Sequence, residues 1–65
     1  MDYKEMAEQK GLKFEVETLE NIDFLRVEGA TEQVLAFRKE TEEKGAFSLF
    51  FHELDDGTSN YTFIE

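Results

Sequence analysis

Between Leu12 and Leu19 apolar and polar residues alternate. Leu12, Phe14, Val16 and Thr18 share one side of an extended strand, and Lys13, Glu15, Glu17 and Leu19 share the other. After a polar turn around residues 20–23, the run Phe24, Leu25, Arg26, Val27, Glu28 alternates again, with Leu25 and Val27 inward. The two runs predict a β-hairpin over 12–28 with one apolar and one charged face.

Two stretches change to helical spacing. Asp2 stands where a side chain can cap the first free amides, and Glu5 three residues later completes a capping box. Tyr3, Met6, Ala7 and Lys10 then form one stripe, and Gly11 suits the left-handed residue that ends a helix, so a short helix is expected over 2–10. Nine residues do not hold a helix alone, so this one must dock on something or fray. A longer helix is expected over 31–44, with Thr31 as N-cap, Glu32 and Lys44 at the dipole ends that suit them, and Gly45 closing it. Val34, Phe37, Arg38 and Thr41, flanked by Leu35 and Lys44, outline its buried side. Glu32, Lys39, Glu40 and Glu43 point to water, with Glu40 and Lys44 as an i,i+4 pair.

From Ala46 to Leu54 apolar groups fall on both faces: Phe47, Leu49 and Phe51 on one, Phe50 and Leu54 on the other, with His52 between. That marks a central strand or one whose second face is covered. Residues 55–60 form a polar turn, and 61–64 a last short strand, so a second hairpin is expected over 46–64. The order α-β-β-α-β-β predicts an α+β domain spanning 1–65: a mainly antiparallel four-stranded sheet with the main helix packed on one face. Strand order is left open by the pattern.

One helix covers one face. Leu19, Phe24, Phe50 or the Phe47 set, and Tyr61 or Ile64 remain for the other, a larger apolar patch than a solitary domain usually shows. Three covers are open: the first helix with Tyr3 and Met6, a second copy of the chain, or a different partner.

Composition narrows the class. Cysteine is absent, which removes disulfides, thiolate nucleophiles and zinc ribbons. Seven Phe and two Tyr are more apolar surface than a disordered chain carries. No run approaches the roughly 18 apolar residues of a membrane helix, and the opening residues lack the basic-then-apolar pattern of a secretion signal, so a cytoplasmic location is expected. Sixteen Asp and Glu against seven Lys and Arg give a formal charge of −9. Such a surface repels the nucleic-acid backbone and attracts cationic protein surfaces. Crowded carboxylates also repel one another, so moderate salt should raise the melting temperature of the isolated chain. An unchanged or lower value would show the acids already paired or far apart.

Chemistry finds few residues. His52, the single histidine, sits in a strand among phenylalanines, and Ser48 and Ser59 have no adjacent base. Asp55, Asp56 and Gly57 read first as a turn, since calcium loops need alternating ligands and a twelfth-position Glu. No catalytic, metal or cofactor-binding residue is assigned, and an enzyme is not expected. The leading expectation is a protein-interaction module, a small acidic regulator or inhibitor binding a basic protein surface. In its sharper form, carboxylate arrays imitate the charge spacing of nucleic acid. Its candidate contact residues are Glu15, Glu17, Phe24, Glu28, Glu40, Glu43, Phe50, Asp55, Asp56 and Tyr61. The alternatives are a self-associating homodimer and a small-molecule binder with a pocket between first helix and sheet, lined by Met6, Phe24 and Phe50.

Overall fold

A computed structural model describes residues 2–65; Met1, the first residue of the expected domain, lies outside them. The elements run α1 (Tyr3–Gln9), β1 (Lys13–Leu19), β2 (Ile22–Ala30), α2 (Thr31–Glu43), β3 (Phe47–Glu53) and β4 (Thr58–Ile64). The four strands form one sheet in the order β1-β2-β4-β3, with every neighbouring pair antiparallel. This is the expected α+β architecture. The strand order now follows: β4 lies between β2 and β3, so α2 carries the chain across one intervening strand.

Local chemistry explains the ends of the elements. The Asp2 half of the capping box is formed, its carboxylate accepting from the Glu5 amide at 3.1 Å. Gly11, at φ +71°, turns the chain from α1 into β1. The first hairpin turn is only two residues long: Leu19 pairs with Ile22, and Glu20 and Asn21 both adopt positive φ, as a type I′ turn requires. Ile22 and Asp23 therefore belong to β2 and not to the turn. Thr31 is not the N-cap of α2. Ala30 holds that place without a side-chain bond, while the Thr31 hydroxyl bonds the Gly57 carbonyl at 3.0 Å and pairs with the Ser59 hydroxyl at 2.7 Å. The start of α2 is thus tied to the start of β4.

Cross-strand partners share a face, which sorts the side chains. Phe14, Val27, Tyr61 and Phe51 form one inward row, and Val16, Leu25, Phe63 and Ser48 another. Phe37 and Val34 of α2 close over these rows. The Phe37 ring meets Phe63 at 5.6 Å and Tyr61 at 6.5 Å, both edge-on. α1 lies on this same side, with Tyr3 edge-on to Phe63 at 5.3 Å, Ala7 buried in the same cluster, and Lys10 bridging to Glu40 of α2 at 2.6 Å. Glu40 therefore pairs with α1 and not with Lys44. Among the described residues the structure is two-layered, with both helices on one face of the sheet and no element on the other.

Gly29 shows how closely the inner layer fits. A Cβ there would stand 2.6 Å from Cδ2 of buried Leu12. Gly29→Ala should force Leu12 out of its rotamer or the turn away from β2, at a cost of about 1–3 kcal/mol. Denaturant titration checks this; a midpoint equal to that of the parent chain would contradict it.

Candidate functional site

The face of the sheet opposite the helices is set by the other half of each alternation. β1 places Lys13, Glu15, Glu17 and Leu19 there, and β2 places Ile22, Phe24, Arg26 and Glu28. β4 contributes Asn60, Thr62 and Ile64; β3 contributes Phe47, Phe50 and His52. β3 achieves this through an irregularity in register between Ser48 and Phe50, where Leu49 is the extra residue. The bulge corrects the strict alternation expected for this strand: Ser48 and Phe51 face the helices, while Phe47 and Phe50 share the open face.

The open face is divided by chemistry. Near the Gly29 end, Lys13 stands opposite Glu28 and Glu15 opposite Arg26, so opposite charges face one another across the hairpin. Toward the turn between β1 and β2, Leu19, Ile22, Phe24, Ile64, Phe47 and Phe50 form an apolar field. Phe47 and Phe50 are 64% and 63% exposed, far more than rings serving a core. Between the two zones runs an open groove of about 610 Å³ lined by Glu15, Glu17, Leu19, Phe24, Arg26, Phe50 and others. Arg26 is its single cation among those lining residues.

The candidate residues separate accordingly. Glu15, Glu17, Phe24, Glu28 and Phe50 come together on the open face. Tyr61 does not: it is fully buried under α2, so it is a core residue and offers nothing to a partner. Glu40 is engaged with Lys10, and Glu43 stands exposed on α2 in the other layer. Asp55 and Asp56 occupy the tip between β3 and β4. There the Asp56 carboxylate accepts from the Thr58 hydroxyl at 2.6 Å and the Thr58 amide at 3.0 Å, which hold its pKa below the usual carboxylate value. It builds the turn. The pocket expected between α1 and the sheet is also corrected, because Met6 packs on the helix side and Phe24 and Phe50 lie on the opposite one.

Comparison with known proteins finds no matching family model, no similar curated protein and no similar solved structure. The function must be read from the face itself.

Phe47, Leu19, Ile22, Ile64 and Arg26 also lie on that face and are not among the candidate contacts. Leu19 was legible from its parity in β1; Ile22 was hidden by assignment to the turn, and Phe47 by the bulge. Among the described residues no three His, Asp or Glu side chains are grouped as a metal ion needs. His52 is exposed on the open face across from Asn60.

Behind the face, one polar chain pins β3 and β4 to α2. The Tyr61 hydroxyl lies 2.6 Å from the Ser48 hydroxyl, which donates to the Glu42 carboxylate at 2.6 Å. Arg38 approaches the same carboxylate oxygen at 3.4 Å and lies over the Phe51 and Tyr61 rings. The Ser48 hydrogen bond, assisted by Arg38, holds the Glu42 carboxyl below its ordinary pKa. A pKa lowered by folding favours the fold above the ordinary glutamate range, and that advantage fades as pH falls through the lowered value. Removing the hydroxyl in Ser48→Ala should move the Glu42 midpoint upward, read from its carboxyl carbon resonance against pH. Identical midpoints in both chains would remove Ser48 as the cause.

Proposed function

We propose that this chain is a non-enzymatic protein-interaction module whose open sheet face docks on a partner presenting apolar side chains among basic ones. The observation that carries the reading is the pair Phe47 and Phe50, two largely exposed rings beside a groove edged by Glu15 and Glu17. Exposed aromatic groups in such a field are the usual anchors of protein interfaces. The acidic rim gives the sign of the partner, as does the net charge of −9. A regulator or inhibitor is the kind of role this supports, since it needs a surface and no reaction pocket.

Self-association through the same face is the second reading, favoured by the apolar field and opposed by bringing two bodies of −9 together. Sedimentation at micromolar concentration separates the two: a monomer is expected, and a stable dimer would replace the first reading by the second. The binding role is tested by affinity capture with the parent chain and with F47S/F50S. A protein retained by the parent at about 50 mM salt should be released toward about 500 mM as the charges are screened, and the variant should not retain it. Retention indifferent to both salt and substitution would overturn the reading.

A further inference from the structure

The sheet has two outer strands, and they are unlike. β3 is interrupted by the irregularity at Leu49, and bulges of this kind blunt an edge against further pairing. β1 is regular over all seven residues, Lys13–Leu19, and among the described residues it pairs only with β2, leaving its other edge unpaired. The two-residue turn fixes which groups it offers. Leu19 and Ile22, flanking such a turn, form a hydrogen-bonded pair, and the alternation then directs Glu17, Glu15 and Lys13 toward β2. The backbone amides and carbonyls of Phe14, Val16 and Thr18 project from the free edge.

Side chains beside that edge say what fits it. On the helix side, Val16 faces the core layer yet is 53% exposed, left uncovered by both helices. On the open side, Glu15 and Glu17 stand two residues apart, and of these Glu17 is opposite Phe24 with no cation across the hairpin. We infer that β1 accepts an extended segment of a protein partner as a fifth strand, with apolar residues over Val16 and Lys or Arg at alternate positions beside Glu15 and Glu17. A second copy of this chain is disfavoured by the same pattern. Antiparallel pairing of two β1 strands over their full length would set Glu15 against Glu17 of the other copy twice, like charges directly opposed. The inference rests on the binding role proposed above and specifies a backbone mode of engagement for it.

The probe is an acetylated, amidated seven-residue peptide alternating Lys and Val, compared with its Glu and Val counterpart and with a block-ordered peptide of the same Lys and Val composition. The alternating Lys peptide should slow hydrogen exchange at the Phe14, Val16 and Thr18 amides, and the other two should not. The 65-residue chain is short enough for total synthesis. N-methylation of the Val16 amide, which removes a donor that no strand of this sheet uses, should weaken the peptide at least tenfold. Glu15→Gln with Glu17→Gln should also weaken it, without backbone change. Protection absent from those three amides overturns the inference, as does equal binding of the three peptides. Peptide-induced shifts confined to Phe24, Phe47 and Phe50 would likewise overturn it, while leaving the open-face reading standing.

Discussion

Phe37→Ala should remove a large share of the chain's folding stability. Phe37 is fully buried and stands edge-on to both Tyr61 and Phe63, which are fully buried themselves. Removing such a ring costs about 3–5 kcal/mol through lost transfer energy and the cavity left behind. A domain of this size has a total stability of roughly 3–10 kcal/mol. Among the described residues no second core shares the load, because no element covers the opposite face of the sheet, and α1 is held chiefly by the same cluster through Tyr3 and Ala7. Urea titration followed by far-ultraviolet circular dichroism reads the effect. A midpoint close to that of the parent chain would show that the core lies elsewhere.

The second large effect is a loss of binding without a loss of fold. Phe47 and Phe50 are as aromatic as Phe37 but lie on the bare face, each more than three-fifths exposed. In the F47S/F50S chain only about a third of each ring's burial is surrendered, so stability should fall by about 1–2 kcal/mol, well short of the effect at Phe37. Aromatic anchors at the centre of an interface are worth about 2 kcal/mol or more each, and losing two should weaken the partner at least about 100-fold. Three phenylalanines of one chain are thus expected to divide into one that carries the fold and two that carry the proposed binding. The comparison requires both measurements on both variants. Strong destabilisation of F47S/F50S would place these rings in a core and remove the basis of the docking face.

Element order was legible because the period changes from two to three or four at clear glycine boundaries, and Leu25, Val27, Val34 and Phe37 all lie inward as the pattern requires. The face chosen by α1 was not legible. A stripe of Tyr3, Met6 and Ala7 suits either side of a sheet; the Lys10–Glu40 pair and the Tyr3–Phe63 contact that place it beside α2 are tertiary. The facing of β3 is not legible for a related reason. With Phe47, Leu49, Phe50 and Phe51 all apolar, nothing in the residue types marks Leu49 as the bulged one, and its register is set only by pairing with β4. The inward facing of Tyr61 is hidden because its inward neighbour Ser59 is polar, which disguises an inward row whose hydroxyls are satisfied by Thr31 and Ser48. The acids of the open face are partly legible: Glu15 and Glu17 follow from parity in β1, whereas the engagement of Glu40 and Asp56 is seen only in the folded chain.

Hydrogen-exchange footprinting of the chain in complex with its captured partner bears most directly on the docking face. Slowed exchange is expected in β1 and β3, the strands that carry Glu15, Glu17, Phe47 and Phe50, with the exposed surface of α2 around Glu43 unchanged. Protection concentrated on α2 with β1 and β3 unaffected would contradict it.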